Sequence, residues 1–102
     1  MAQGTIYIMQ GEDTPNGPVK IGYTSRQVSL RVAEAQTYSH QTLIVLMEAD
    51  GTYQSEAALH RLFEPYHKLG EWYVLGPLIQ ELIHYVADGG SLKSWLDESK
   101  PR

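Results

Sequence analysis

The chain is 102 residues long and acidic, and its composition excludes several classes of protein. Its formal net charge is −4, 42% of its residues are hydrophobic and it has no cysteine. This length supports one modest core, and the missing cysteines exclude disulfide frameworks and thiolate metal sites. Without a long apolar run or a signal-like N-terminus, we expect a cytoplasmic protein that makes no membrane contact.

The first predicted element is a β-hairpin. Residues 5–9 and 19–24 are strand-like runs separated by a turn-rich stretch. Strand side chains alternate between faces, so Tyr7, Lys20 and Gly22 share the face opposite the apolar residues. The pattern therefore predicts a phenol beside an ammonium group.

A first helix is predicted over residues 27–38, with Thr24 or Ser25 supplying a hydroxyl cap. Its apolar residues recur at helical spacing and form one stripe. Arg31 lies beside this stripe, so its stem can pack while its guanidinium extends toward the sheet face that carries Tyr7.

The next elements are a strand and two more helices. Residues 42–47 form a continuous apolar run, which predicts a third, central strand covered on both faces. A turn with a hydroxyl cap precedes a second helix over residues 54–64, where Glu56 and His60 are four residues apart and can address a common point. A third helix, over residues 77–88, has a broad apolar stripe.

This order of elements predicts the fold class. A strand pair, a helix, a strand and further helices favour an α/β or α+β domain, with a small sheet flanked by helices. We expect the folded domain to span residues 1–90, and residues 91–102 to form a C-terminal turn and a polar tail.

Short motifs follow one another in order along residues 4–75. They are Ile6-Tyr7-Ile8, Lys20-Ile21-Gly22-Tyr23-Thr24, Arg31, Glu56, His60 and Gly70-Glu71-Trp72-Tyr73. This series resembles the GIY-YIG endonuclease superfamily. More narrowly, it is similar to the short phage-type and bacterial branch, whose second motif reads KIG. The resemblance implies a three-stranded antiparallel sheet and a metal-dependent nuclease.

The resemblance also implies catalytic roles for five residues. Glu56 would bind Mg²⁺ or Mn²⁺, cations that prefer oxygen ligands, and Arg31 would bind the phosphate through its planar fork. Tyr7 would orient or deprotonate the attacking water, with Lys20 as the cation that favours its phenolate. His60 would relay or receive a proton.

Substrate-binding positions are implied at Gly22, Tyr23 and Arg26, although the strand parity of Tyr23 favours the other face. Residues 14–33 contain three basic side chains and no carboxylate, which predicts a local positive patch on an acidic domain. Neutralising about three phosphates would give a log-log salt slope of roughly −3 on duplex DNA.

The leading functional hypothesis is a small metal-dependent DNA endonuclease or nickase of phage or mobile-element type, with RNA left open as a substrate. The alternative is a catalytically inactive module that binds nucleic acid or protein. Specificity would come from a homo-oligomer or a larger complex. Purely structural interpretations of some of these residues are also open. Glu56 can simply complement a helix dipole, and Trp72 and Tyr73 can be core or rim aromatics.

Overall fold

The computed structural model describes residues 4–99 and contains one antiparallel sheet with helices on both faces. The strands are β1 (Gly4–Gly11), β2 (Val19–Thr24), β3 (Leu43–Gly51), β4 (His67–Leu69) and β5 (Trp72–Tyr73); the helices are α1 (Val28–Gln36), α2 (Tyr53–Leu62), α3 (Pro77–Ala87) and α4 (Leu92–Ser99). A 3-10 turn, Glu64–Tyr66, links α2 to β4. The strand order is β3-β1-β2-β5-β4. The predicted α+β class is confirmed, and two short strands extend the sheet from the predicted three strands to five.

The alternation of β1 divides the core into two layers. Ile6 and Ile8 are fully buried on the face covered by α2, α3 and α4. Tyr7 and Met9 point to the opposite face, where they pack with Val28 of α1. β1 lies between β2 and β3, and helices cover both of its faces. A strand with buried faces has a strongly specified register, which positions Tyr7.

The prediction that the third strand is central was wrong, since β3 lies at one edge of the sheet. It pairs along its length with β1, while α1 packs on one of its faces and α3 and α4 pack on the other. A continuous apolar run indicates that both faces of a strand are covered by other elements. It carries no information on how many strands pair with it, which is why the position of β3 in the sheet was mispredicted.

The two helix starts near the site are built differently. Thr52 caps α2 through a reciprocal capping box with Ser55, as the hydroxyl at this turn predicted. The predicted Thr24 or Ser25 cap of α1 was wrong, because the N-cap is Gln27. Thr24 Oγ1 instead accepts a hydrogen bond from the Arg26 backbone N–H at 3.0 Å, which stabilises the turn before the helix.

The C-terminal segment adds a helix to the main core. Leu92 and Trp95 of α4 are 1% and 3% exposed, and Trp95 Nε1 donates a hydrogen bond to Glu81 Oε2 at 3.2 Å. This helix is longer than the turn expected there, and residues 100–102 of the expected polar tail lie outside the described residues. Within residues 4–99, the helices are too short or too polar to cross a membrane.

Candidate functional site

Tyr7 lies at the centre of the candidate site, on the α1 side of the sheet. It is 1% exposed and stands opposite Gly22 in the β1–β2 ladder. A Cβ at position 22 would collide with the Tyr7 hydroxyl. Gly22 therefore gives the phenol room to lie across β2, with its hydroxyl over the glycine.

The cation at the Tyr7 hydroxyl is Arg31. Burial raises the pKa of the Tyr7 phenol above its usual value of 10.0; the hydrogen bond and charge of Arg31 lower it, and the charges of Glu71 and Glu56 raise it further. Arg31 also donates to Glu34 Oε1 at 3.3 Å. The balance leaves Tyr7 a neutral hydrogen-bonding phenol near neutral pH.

Helix α2 supplies a carboxylate and an imidazole from the opposite side of the sheet. Glu56 Oε2 lies 3.6 Å from His60 Nε2, as the four-residue spacing predicts. Burial raises the pKa of Glu56, the charge of Glu71 raises it further, and His60, Arg31 and the Tyr23 backbone lower it. Glu56 is thus a partly desolvated carboxyl close to a second carboxyl.

That second carboxyl, Glu71, is carried by the turn between β4 and β5. Gly70 in this turn has φ of +57°, a left-handed conformation that glycine adopts without strain. The Glu71 carbonyl accepts a hydrogen bond from the Ile21 backbone N–H at 3.1 Å, which ties the turn to β2. Lys20 Nζ lies 3.8 Å from Glu71 Oε1, so the lysine pairs with this carboxylate.

Glu56, His60 and Glu71 each place one potential ligand atom within 4.8 Å of the others. Two carboxylates at this spacing fit a divalent cation that prefers oxygen and keeps several waters, as Mg²⁺ and Mn²⁺ do. The donor set therefore fits the cation that the sequence predicted.

His60 is fixed at both ring nitrogens. The Tyr73 hydroxyl lies 2.7 Å from His60 Nδ1, and His60 Nε2 lies 3.3 Å from the Ile21 carbonyl oxygen. The two rings are also in edge contact, with centroids 5.3 Å apart. A cleft of about 470 Å³ opens beside this pair, lined in part by His67.

The predicted catalytic residues are linked in pairs. The charges of Arg31 and Glu56 act on Tyr7, Glu56 contacts His60 and Lys20 pairs with Glu71. Gly22 stands opposite Tyr7, and the other two substrate-binding candidates lie apart from that phenol. The Tyr23 ring packs with the α2 side of the core, in edge contact with Tyr53, as its strand parity predicted. Arg26 forms an exposed ion pair with Glu34 at 2.9 Å. Its guanidinium lies at the surface beside α1.

Sequence analysis assigned no catalytic role to Glu71 or Tyr73, although both belong to the motif over residues 70–73, and it interpreted Tyr73 as a core or rim aromatic. Tyr73 lies in β5, which has two residues, too few to show an alternating pattern, and Glu71 lies in the turn before it. The Gly70-Glu71 turn was the available signal, because glycine at a tight turn can present the next side chain to a neighbouring strand.

Sequence comparison assigns most of the chain to one family. A family model described as T5orf172 domain matches residues 4–87, a span that includes every candidate site residue from Tyr7 to Tyr73. No curated protein and no solved structure matches the sequence.

Proposed function

The chain belongs to the T5orf172 domain family, and from its site we propose that it is a metal-dependent endonuclease or nickase that hydrolyses DNA phosphodiester bonds. The family is associated with nuclease-like modules in phage and bacterial proteins. The observation that carries the proposal is the grouping of Glu56 and Glu71 with His60, next to the buried Tyr7 and its cation Arg31.

The two carboxylates would hold the cation. A bound Mg²⁺ or Mn²⁺ supplies Lewis-acid stabilisation of the phosphate and lowers the pKa of a coordinated water. Desolvation and mutual repulsion raise the pKa of Glu56, so the metal-free pair is electrostatically unfavourable. Glu56 and Glu71 would hold a divalent cation more favourably for this reason, since its charge would offset their repulsion.

Arg31 and Tyr7 would act on the phosphate and the attacking water. The guanidinium of Arg31 can donate two parallel hydrogen bonds to phosphate oxygens and stabilise the charge that develops in the transition state. The neutral Tyr7 hydroxyl can orient the water by a hydrogen bond. Neutralising Glu56 and Glu71 would remove two charges that raise the pKa of Tyr7. The pKa of the phenol would then fall, and a phenol that loses its proton more easily can act as a base.

Lys20 would complete the site from its rim. In the metal-free protein it pairs with Glu71 at 3.8 Å, and its side chain is 23% exposed. A divalent cation held by Glu71 would weaken this pair, because the carboxylate charge is then shared. Lys20 would be left to contact a substrate phosphate beside the scissile bond.

The test is a nicking assay on supercoiled plasmid with Mg²⁺, with Mn²⁺, or with chelator. We expect metal-dependent relaxation by the native chain and a loss on the order of 100-fold or more for Glu56→Gln, because metal chemistry supplies several kcal/mol. Glu98→Gln, on the exposed face of α4, is the matched control. Nicking that survives Glu56→Gln unchanged would overturn the proposal, and DNA binding without any nicking would favour the inactive binding module.

A further inference from the structure

The hydrogen bonds of His60 define which of its nitrogens carries the proton. The Ile21 carbonyl oxygen, 3.3 Å from Nε2, can only accept, so Nε2 must be the donor in this contact. In a neutral imidazole the other nitrogen is then an acceptor. Nδ1 therefore accepts the hydrogen bond from the Tyr73 hydroxyl at 2.7 Å.

Tyr73 is suited to act as a permanent donor. Its side chain is 2% exposed, and a phenol, with its usual pKa of about 10, carries its proton near neutral pH. The hydroxyl consequently stays protonated, and a buried hydroxyl requires a hydrogen-bond partner. His60 Nδ1 is that partner.

We propose that Tyr73 is a positioning residue that fixes the Nε2–H tautomer of His60, so that His60 supports Glu56 from outside the metal coordination sphere. This inference rests on the proposed metal site and deepens it. Nε2 lies 3.6 Å from Glu56 Oε2, and its proton faces the Ile21 carbonyl. Ligation through Nε2 would need the position that this proton occupies, so the hydrogen bond to the Ile21 carbonyl would be lost and its oxygen left without this donor.

The metal preference follows from this assignment. With His60 outside the coordination sphere, Glu56 and Glu71 offer oxygen ligands alone. Such a set favours Mg²⁺ and Mn²⁺, whereas an imidazole ligand would favour Zn²⁺ or Ni²⁺. The Nε2 edge of the His60 ring lies beside the Glu56 carboxylate at 3.6 Å, and outer-shell neighbours of this kind help to orient a ligating carboxylate.

The first test reads the tautomer directly in the metal-free protein. Long-range ¹H–¹⁵N NMR spectra of ¹⁵N-histidine-labelled chain, with the His60 signals assigned by their loss in His60→Gln, should show a protonated Nε2 and an unprotonated Nδ1. Tyr73→Phe should give a mixture of tautomers, and Tyr85→Phe, whose ring lies beside Gly90, should leave the pattern unchanged. A native Nδ1–H tautomer, or an unaltered pattern in folded Tyr73→Phe, would overturn the proposal.

The second test measures Mn²⁺ binding by calorimetry without DNA. We expect His60→Gln to weaken binding about tenfold, the lower end of what loss of an outer-shell partner costs, and Glu56→Gln to weaken it clearly more, because only a ligand loses its direct bond to the cation. Equal losses would show that His60 is a ligand and overturn the inference. Neither test uses turnover, so a native chain that fails to nick plasmid would refute the proposed function while these readouts still decide the role of Tyr73.

Discussion

Tyr7 and Gly22 are partners in the β1–β2 ladder, and the phenol occupies the space that a side chain at position 22 would need. The glycine is therefore required by the close approach of Tyr7 and not by a special backbone conformation. Because Tyr7 is 1% exposed, its ring has little freedom to move aside.

Gly22→Ala is expected to displace the Tyr7 hydroxyl. Overpacking of this kind costs about 1–3 kcal/mol of unfolding free energy, and a shifted hydroxyl should slow nicking without abolishing Mn²⁺ binding. Chemical denaturation and plasmid nicking measure the two effects. Ser94→Ala, an exposed change on α4, is the control. Full stability and full activity in Gly22→Ala would show that Tyr7 can move freely.

The cation that controls the Tyr7 pKa should be Arg31 and not Lys20. Arg31 hydrogen-bonds the phenol and lowers its pKa, whereas Lys20 pairs with Glu71. Arg31→Met should raise the Tyr7 pKa more than Lys20→Met does, because it removes both the hydrogen bond and the charge. NMR titration of ¹³C-labelled tyrosine measures each variant. If Lys20→Met raises the Tyr7 pKa more than Arg31→Met does, then Lys20 is the cation that favours the phenolate, as the sequence predicted.

Glu71→Gln is expected to weaken the cation site while leaving the fold intact. The carboxylate of Glu71 is 39% exposed, so its replacement disturbs little packing, but one of two charged oxygen ligands is lost. Mn²⁺ affinity should fall on the order of tenfold, about 1.4 kcal/mol. Calorimetry compares it with Glu12→Gln, an exposed change in the β1–β2 loop. Unchanged Mn²⁺ affinity would remove Glu71 from the site.

Glu56→Gln should stabilise the metal-free protein at neutral pH. A carboxyl whose pKa is raised on folding contributes its full stability below its unfolded pKa, about 4.3, and that contribution is lost as pH rises through the folded pKa. Burial raises the pKa of Glu56, so its ionisation at pH 7 opposes folding, and glutamine avoids this cost.

Thermal denaturation with chelator tests the sign of this effect. Glu56→Gln should melt above the native chain at pH 7, and the difference should shrink below about pH 4. A change of about 1 kcal/mol in the free energy of unfolding shifts Tm by about 4–8 °C in a domain of this size. A smaller change in stability is therefore still measurable as a shift in Tm. Glu98→Gln should show no comparable gain. A lower Tm for Glu56→Gln at pH 7 would mean that its contact with His60 outweighs its desolvation.

Strand and helix periodicity predicted two relations that the structure shows. A period of two put Tyr7 on the face with Gly22, and a spacing of four put Glu56 beside His60. The first depends on two adjacent paired strands and the second on a single helix, so both are short-range. The position of Glu71 was not predictable in this way, since it depends on a two-residue strand that docks on β2.

The charge pattern was less informative than it looked along the sequence. Residues 14–33 contain no carboxylate, but Glu34 lies just beyond them and pairs with both Arg26 and Arg31. Lys20 pairs with Glu71, a residue 51 positions away. Ion pairs depend on distance in space, so a stretch of basic residues does not by itself define a free positive surface.

Glu34 should therefore restrain the affinity of the domain for DNA. Its carboxylate competes with phosphate for Arg26 and Arg31, although both pairs are exposed and exposed pairs are weak in water. Glu34→Gln should therefore tighten duplex binding by a small factor. The log-log salt slope should also steepen, by at most about 2, because two arginines are released while Lys20 stays paired with Glu71.

Fluorescence anisotropy of a labelled duplex across several salt concentrations measures both quantities. Glu98→Gln changes the net charge by the same amount on the exposed face of α4, so it separates a local release of arginines from a general loss of negative charge. Equal behaviour of the two variants would show that Arg26 and Arg31 do not face the DNA. A steeper slope in Glu34→Gln alone would identify the surface beside α1 as the binding face, because only there does the substitution free a cation.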